Sequence, residues 1–233
     1  MRFAFVALVL LACPAAVRAQ VGHDPARSPY RELRFGQFVG VTGGWFSGDG
    51  GSLGLSPHGG RTVGFRYEFL GANTLTLGLG ATHFSFERVV IDPDESVATR
   101  VSGPVDQTGL LFEGIIQFNV TGGKTWNRLA PFVTGGIGLM LASAVPEDQT
   151  GYEFRTRGVI TPGIGTRVFL SQRLFLRLEA RATFWQVTYP LSFLEAPANA
   201  PTDPPVLVGR SRKEWVVTPW YSLGLSYAFY RPF

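Results

Sequence analysis

The sequence carries little charge, almost no cysteine and no long hydrophobic segment, and each shortage excludes a class of protein. Only 16% of the 233 residues are charged, whereas charged residues make up about 25% of a typical soluble domain. One cysteine cannot form an internal disulfide framework. The longest unbroken apolar run, residues 3–13, is well short of the ~20 residues that a transmembrane helix requires. The net charge of +4 is too small to indicate a nucleic-acid-binding protein.

Glycine and apolar side chains are abundant instead. The chain contains 29 glycines and 19 phenylalanines, and 45% of its residues are hydrophobic. That much apolar material excludes intrinsic disorder. Together with the many turn residues, this composition predicts a single all-β domain.

The first residues have the features of a signal peptide. Arg2 precedes the apolar run, Pro14 follows it, and Val17-Arg18-Ala19 fits a signal-peptidase site. A lipoprotein signal that acylates Cys13 is the alternative, which Pro14 disfavours. We expect a signal peptide at 1–19.

From Arg34 onward, segments of about ten residues alternate with period two and end in Gly, Pro, Asn or Asp. Such alternation predicts strands with one apolar face. In Thr62–Phe69, for example, Val63, Phe65 and Tyr67 alternate with polar or small residues. Eight strands are predicted, near 35–46, 62–69, 74–81, 110–120, 130–143, 158–170, 174–183 and 221–229.

Short and long connections alternate along the chain between these strands. Short turns are predicted at 70–73, 121–128 and 171–173, and longer loops at 47–60, 87–106, 144–157 and 186–213. An even number of antiparallel strands, with short turns at one end and long loops at the other, is typical of outer-membrane barrels. Such barrels must close because an open edge would leave backbone groups unpaired in lipid. We therefore predict an all-β, eight-stranded antiparallel up-and-down transmembrane β-barrel, with its N- and C-termini in the periplasm. The outer-membrane β-barrel domain is expected at 34–233, after a periplasmic leader at 20–33.

A soluble eight-stranded barrel of the lipocalin kind has the same strand count but the opposite polarity. Its outer surface would be the less apolar face of each strand. Here that face is mostly Gly, Ser, Thr and Ala, with almost no Lys. A water-facing surface normally carries more charge, whereas small residues suit a crowded barrel interior, so the pattern favours the membrane barrel.

Aromatic residues near the strand ends fit the girdles that such barrels place at both membrane interfaces. Next to the long loops are Trp45, Phe84, Phe86, Phe184, Trp185 and Tyr189. Near the short turns or the C-terminus are Phe69, Phe118, Trp126, Phe169, Tyr227 and Phe229. Any one of them could instead be a core residue, so the prediction of membrane-facing girdles depends on their placement at both ends of the strands.

Two stretches, Thr161–Arg181 and Tyr221–Phe229, carry a family resemblance. The first resembles the Gly-rich strand, tight turn and Arg/Glu strand of the small eight-stranded outer-membrane β-barrel proteins, the group that contains the OmpA transmembrane domain and OmpX. The second resembles their C-terminal strand, although Tyr230-Arg-Pro-Phe233 follows it here, so either Phe229 or Phe233 is the terminal residue of the signal.

The resemblance implies a location and partners. These are the outer membrane, its lipid and lipopolysaccharide, and the barrel-assembly machinery during insertion. It also implies a C-terminal insertion signal formed by Tyr221, Leu223, Leu225, Tyr227 and Phe229.

Seven charged residues fall on the strand faces that we predict to point inward: Arg66, Glu68, Glu113, Arg167, Arg177, Glu179 and Arg181. Eight strands enclose an interior that side chains can fill. Four bases and three acids nearly balance, so we expect a connected ion-pair network that plugs the barrel. An ion-selective pore is the alternative function for these charges.

His83 and Ser85 fall on the face that we predict to meet lipid, and Glu87 continues it. This looks like the His-x-Ser pair of the outer-membrane lipid A deacylases, in which a base activates a serine nucleophile. The Asn that follows the serine in that motif is replaced here by Phe86.

Two loop motifs have less specific readings. The Gly-rich loop Gly48–Gly54 is predicted to be mobile. Asp92, Asp94 and Glu95 are predicted to lie in a solvated loop, with loose cation binding as the alternative.

The function that we predict is structural or a surface interaction through the extracellular loops, without catalysis, cofactor or metal. A lipid A-modifying enzyme using His83 and Ser85 and a narrow channel are the alternatives. We expect a monomer.

Overall fold

The fold is a closed antiparallel barrel, seen in a computed structural model that describes residues 28–229 except 147, 149 and 151. Its strands are β1 (Tyr30–Glu32), β2 (Gln37–Phe46), β3 (His58–Ala72), β4 (Leu75–Ile91), β5 (Val101–Asn119), β6 (Lys124–Trp126), β7 (Leu129–Ala142), β8 (Thr156–Ile160), β9 (Gly163–Phe169), β10 (Leu174–Thr188) and β11 (Lys213–Phe229). A 3-10 helix, Leu191–Leu194, lies in the last long loop. The predicted signal peptide and Tyr230–Phe233 lie outside the described residues.

Eight strands form the ring, because β8 and β9 together occupy one position between β7 and β10. The predicted strand 158–170 is interrupted at Thr161-Pro162, where proline has no N–H for the ladder. Thr161 nevertheless exchanges backbone hydrogen bonds with Gly136 of β7, at 2.9 and 3.2 Å. The ring closes where β2 pairs with β11, from Gln37 opposite Phe229 to Phe46 opposite Trp220. The prediction of an eight-stranded up-and-down barrel is confirmed.

Two strands extend much further toward the long loops than the sequence indicated. β4 has 17 residues and β5 has 19, whereas about 9–11 suffice to cross the hydrocarbon. Most of the predicted loop 87–106 is therefore strand, and only residues 92–100 connect β4 to β5. At the other end of the barrel, the predicted turn 121–128 contains the short strand β6, which pairs with β1 near the N-terminus of the described chain. Positive φ angles at Asn127 and Arg128 turn the chain from β6 into β7.

The apolar face of each strand points outward. Val63, Leu79 and Ile137 are each about two-thirds exposed, while the small and charged residues of the opposite faces are buried. An exposed apolar belt around a closed barrel is the surface that lipid covers. No helix in the described part of the chain is long and apolar enough to cross a membrane.

The interior has three layers along the barrel axis. The lower apolar cluster, at the short-turn end, consists of Leu33, Phe38, Ala130, Phe169, Phe175 and Ala228. Above it lies the charged layer, which consists of the buried residues Arg66, Glu68, Glu113, Arg167, Arg177, Glu179 and Arg181. The upper apolar cluster, toward the long loops, consists of Phe46, Leu55, Phe84, Phe86, Ile91, Leu111, Met140, Tyr152, Phe154, Val159, Trp185, Val187, Tyr189, Phe193, Leu207, Val216 and Trp220.

A charged layer inside the barrel as candidate functional site

The structure brings the seven inward charges of the sequence together in one layer. Two come from β3, one from β5, one from β9 and three from β10. All are at most 7% exposed: Arg66, Glu68, Glu113, Arg167, Arg177, Glu179 and Arg181. They converge because residues of one parity on every strand of a closed barrel point to the same axis.

Each carboxylate is shared by more than one arginine. Glu179 is 2.8 Å from Arg181, 3.0 Å from Arg177 and 3.2 Å from Arg66. Such pairing offsets much of the large desolvation cost of burying charge, which an isolated ion would bear in full. The planar guanidinium suits this role because it can bridge two carboxylates.

The other two carboxylates extend the network to both sides. Glu68 is 3.0 Å from Arg177, 3.1 Å from Arg167 and 3.4 Å from Arg66. Glu113 is 2.6 Å from Arg181 and accepts a 2.8 Å hydrogen bond from the Thr161 hydroxyl. The seven charges therefore form one connected network.

Glycines of the neighbouring strands make room for these side chains. A Cβ on Gly136 would lie 2.5 Å from a carboxylate oxygen of Glu113, and one on Gly78 would lie 3.0 Å from Cγ of Glu68. Inward-facing glycine beside a charged position is thus a sequence signal of the network. It was visible in the alternation of β4 and β7.

Aromatic faces and one amide complete the layer, and the sequence did not reveal them as members. The guanidinium of Arg177 lies 4.2 Å from the Phe132 ring centre, and that of Arg181 lies 4.9 Å from Trp220. Desolvated cation–π contacts of this kind are favourable. Arg177 also donates a 2.7 Å hydrogen bond to Gln117.

The layer carries one more positive than negative charge, and the excess is concentrated at Arg167. Its Nη2 reaches Glu68, while Nε and Nη1 have no hydrogen-bond partner among the described residues. The guanidinium instead lies 4.7 Å from the centre of the Phe38 ring in the lower apolar cluster. Aromatic contact takes the place of a fourth carboxylate.

The upper apolar cluster corrects the predicted aromatic girdle. Phe84, Phe86, Trp185 and Tyr189 are at most 2% exposed and lie inside the barrel. On their strands, these residues fall on the side that points inward. Phe84, for example, lies two residues beyond the buried Thr82. Phe169, assigned to the opposite girdle, is likewise inside, in the lower apolar cluster.

The other predicted girdle residues lie on the outer face. Trp45, near the long loops, is 59% exposed. Toward the short turns, Phe69, Phe118, Trp126 and Tyr227 are exposed. Phe184 and Phe229 are partly exposed.

Segments of the long loops fold into the barrel mouth. Leu55 follows the Gly-rich loop and is fully buried, and the next residue, Ser56, accepts a 2.6 Å hydrogen bond from the Trp185 indole. The Gly54 carbonyl accepts a 3.0 Å hydrogen bond from Val89. Within the loop, Leu53 is partly buried and packs against the upper apolar cluster.

A second buried ion pair lies beside this cluster. Arg88 pairs with Asp148, and its Nε donates a 3.0 Å hydrogen bond to Gln107. Arg88 also lies over the Tyr152 ring, and burial raises the pKa of that phenol to about 12. The sequence missed this pair because Asp148 lies in a loop without periodicity.

His83 and Ser85 lie on the outer face of β4, and both are exposed. His83 is flanked by Val63 and Leu110 across the ladders, and Ser85 by Arg61 and Thr108. In the described part of the chain, neither side chain has a hydrogen-bond or ion-pair partner. The pair therefore lacks the contact between base and hydroxyl that an activated nucleophile needs.

Two further groups from the sequence have clear positions. Tyr221, Leu223, Leu225 and Tyr227 form an exposed apolar strip on the outer face of β11, which Phe229 continues. Asp92 and Glu95 make hydrogen bonds within and between loops. No cluster of three or more His, Cys, Asp or Glu suited to a metal occurs among the described residues.

Comparison with solved structures places this architecture among the small outer-membrane β-barrel proteins. The outer membrane protein OprG from Pseudomonas aeruginosa superposes with a TM-score of 0.54 at 14% sequence identity, covering 88% of this chain and 100% of that chain. Neisserial surface protein A gives 0.52 at 12% identity, covering 83% and 97%. The fold is therefore that of small outer-membrane barrels, as the sequence resemblance indicated. No protein-family model and no curated protein matches the sequence.

Proposed function

We propose that the protein is a non-enzymatic outer-membrane barrel that anchors four extracellular loops, with a structural or surface-interaction role. The observation that carries this proposal is the filled interior. The charged layer lies between two apolar clusters, so an ion would have to cross both clusters as well as the fixed charges. A packed, nearly neutral interior suits a rigid anchor for the loops better than it suits an ion channel.

Planar-bilayer recording of the purified barrel tests the closed interior. We expect no stable single-channel conductance, because no continuous polar path passes both apolar clusters. Reproducible single-channel steps would show an open lumen and support the narrow-channel alternative instead.

The orientation that we propose places the short turns, and hence the N- and C-termini, in the periplasm. Protease added to whole cells should then cleave within the longer loops. The connection 92–100 is a suitable target because many of its residues are exposed. Cleavage confined to the turn 121–128 would indicate the inverted topology.

Insertion and oligomeric state follow from the same architecture. We propose that the outer strip of β11 is the signal that the barrel-assembly machinery recognises, since it presents five alternating apolar side chains. The ring closes through the ladder between β2 and β11, so it presents no continuous edge strand for pairing with a second copy, which supports a monomer in contact with outer-membrane lipid.

A lipid A-modifying activity at His83 and Ser85 is the competing proposal, and their exposure on the outer face is its support. The outer membrane enzyme PagL superposes with a TM-score of only 0.43 at 15% identity, covering 82% of this chain and 99% of that chain, which is too distant to bear on catalysis. Replacing Ser85 with Ala should leave the lipid A acylation pattern unchanged in mass spectra. Loss of an acyl-chain modification with the barrel still folded would establish the enzyme.

A further inference from the structure

One carboxylate at the long-loop end of β11 fastens the loop between β2 and β3. Glu214 accepts a 3.0 Å hydrogen bond from the Ser52 backbone N–H and a 2.8 Å hydrogen bond from the Ser52 hydroxyl. The Tyr189 hydroxyl donates a third hydrogen bond, at 2.7 Å. Among the described residues Glu214 has no ion-pair partner, so it holds the loop by accepting hydrogen bonds alone.

The part of the loop that Glu214 holds is residues 48–53, which we call the lid. A Cβ on Gly51 would lie 2.9 Å from Cγ2 of Val216, and a Cβ on Gly48 would lie 3.2 Å from the Thr218 hydroxyl oxygen. Val216 and Thr218 are both buried, and Leu53 packs against the upper apolar cluster. The lid therefore covers part of the inner face of β11 at the barrel mouth.

The lid lies between two anchored points. Before it, Ser47 donates a 3.0 Å backbone hydrogen bond to β11, and after it, Ser56 accepts the hydrogen bond from the Trp185 indole. Between these anchors, the hydrogen bonds that join the lid to distant parts of the described chain all go to Glu214. Gly54, with a φ of +68°, supplies a hinge because glycine adopts such angles without strain.

The three hydrogen bonds depend on the negative charge of Glu214. Hydrogen bonds to an ionised carboxylate are roughly twice as strong as those between neutral groups. A protonated carboxyl also carries an O–H of its own, whereas the Ser52 backbone N–H can only donate. Burial and the hydrogen bond to Glu214 raise the pKa of the Tyr189 phenol, so this hydroxyl keeps its proton and stays a donor.

The basic and phenolic groups around Glu214 keep their charge state when the pH falls. Arg212 donates two hydrogen bonds, of 3.0 and 3.1 Å, to the Tyr189 carbonyl. Lys213 is exposed and, as the preceding residue of the strand, points to the opposite face. The ring centre of Tyr152 lies 6.3 Å from that of Tyr189. None of these groups gains or loses a proton between neutral and mildly acidic pH.

Two other groups near the lid do titrate in acid. The Nδ1 of His58 lies 3.2 Å from the Ser56 carbonyl oxygen, so a protonated imidazole donates to that carbonyl and tightens the anchor after the lid. Asp49 accepts a 3.1 Å hydrogen bond from the Gly51 N–H inside the lid. Protonation of Asp49 acts in the same direction as protonation of Glu214, so an experiment has to separate these two carboxylates.

We propose that residues 48–53 form an acid-released lid over the barrel mouth, closed while Glu214 is ionised and open once it is protonated. Closure gives the ionised carboxylate three donors that the open state lacks. The stabilisation is therefore present at neutral pH and is lost as the pH falls. Opening exposes Val216 and Leu53 to water, while the charged layer below stays covered by the rest of the upper apolar cluster.

Hydrogen–deuterium exchange of the purified barrel in detergent measures opening of the lid. Exchange is followed by mass spectrometry at about pH 7 and about pH 4, on either side of the usual titration of glutamate, and is corrected for the intrinsic effect of pH. Residues 92–100, an exposed connection elsewhere at the mouth, serve as the internal reference. Heat-modifiable mobility on SDS gels confirms that each protein is folded.

Glu214→Gln keeps the size of the side chain and removes its charge, and Glu195→Gln, at an exposed position of the last long loop, is the matched control. At neutral pH we expect lid amides to exchange about ten-fold faster in Glu214→Gln than in the wild type, since weakened hydrogen bonds favour local opening. Glu195→Gln should match the wild type. In acid the wild-type lid should exchange as fast as that of Glu214→Gln, which should show no further response to pH.

Asp49→Asn should retain the acid response of the wild type. If Glu214→Gln does not fold, Ser52→Ala replaces it, because it deletes one of the three donors and should speed lid exchange at neutral pH.

Equal lid exchange in the wild type and in the charge-free or donor-free variant at neutral pH would overturn the role of Glu214. A wild-type lid that does not respond to acid would overturn the acid release. An acid response that persists in Glu214→Gln and disappears in Asp49→Asn would assign the release to Asp49 instead. None of these results bears on the proposed anchor role, which depends on the closed interior beneath the lid.

Discussion

The charged layer and the upper apolar cluster fill the same barrel by different means. The seven ionised side chains of the charged layer all come from strands, and inward glycines make room for them. The upper apolar cluster adds loop residues such as Leu55, Phe154 and Phe193 to strand aromatics. Strand parity alone therefore defines the middle of this barrel, whereas its mouth depends on how the loops fold back.

Removing one carboxylate from the charged layer should have the largest effect. Glu179→Ala leaves Arg66, Arg177 and Arg181 without their common partner. We expect a loss of about 3–5 kcal/mol, the cost of breaking a buried ion pair. Urea unfolding of the barrel in lipid vesicles, followed by tryptophan fluorescence, measures it.

Glu87→Ala is the matched control for that change, because Glu87 is exposed on the outer face of β4 opposite Asp106. Its effect should stay within about 0.5 kcal/mol, as for most surface substitutions. If Glu179→Ala were as mild as Glu87→Ala, the network would not contribute to stability.

Removing a loop aromatic should cost somewhat less. Phe154 is fully buried, 5.6 Å from the Trp185 ring and 6.1 Å from the Phe86 ring. Phe154→Ala should lose about 3 kcal/mol, at the low end for a buried phenylalanine, because a loop can collapse into the space. The same unfolding assay gives the value, with the exposed loop substitution Val97→Ala as control.

The Phe154→Ala barrel should also be cleaved faster within 144–157, while its bilayer conductance stays absent because the charged layer is intact. A conducting Phe154→Ala barrel would mean that the upper apolar cluster, rather than the charged layer, keeps the lumen closed.

The smallest effect expected is at the junction of strand and loop. Trp185→Phe keeps an aromatic ring but deletes the hydrogen bond to Ser56 and leaves that buried hydroxyl without its donor. A lost hydrogen bond of this kind costs about 1–2 kcal/mol. Trp215→Phe, on the exposed outer face, should be nearly neutral in the same assay. Equal losses from both would show that the indole hydrogen bond does not hold the loop.

The strand faces could be predicted because a two-residue period repeated around the barrel leaves little freedom. Arg177, Glu179 and Arg181 are two residues apart on one strand, so placing one inward places all three. The same parity places Phe84 and Trp185 inside, whereas their position next to the long loops favours the girdle. Parity is the stronger of the two signals in this barrel.

The loop contributions could not be predicted from the sequence. Tyr152, Phe154 and Asp148 follow no periodicity, and nothing local indicates that they fold inward. Their burial depends on contacts with residues distant in sequence, such as that of Arg88 with Asp148. The extra length of β4 and β5 is not evident from the sequence because Pro104, Asp106 and neighbouring polar residues resemble a loop, although they belong to β5.

The ladder between β2 and β11 closes the barrel. It joins Gln37 to Phe229, so the enclosure requires a contact that spans nearly the whole domain, and long-range pairing of this kind is slow. The arginines and glutamates of the interior are shielded from water only when this ladder is formed. We therefore expect the charges to lose their water together with barrel closure, when all of their partners are in place.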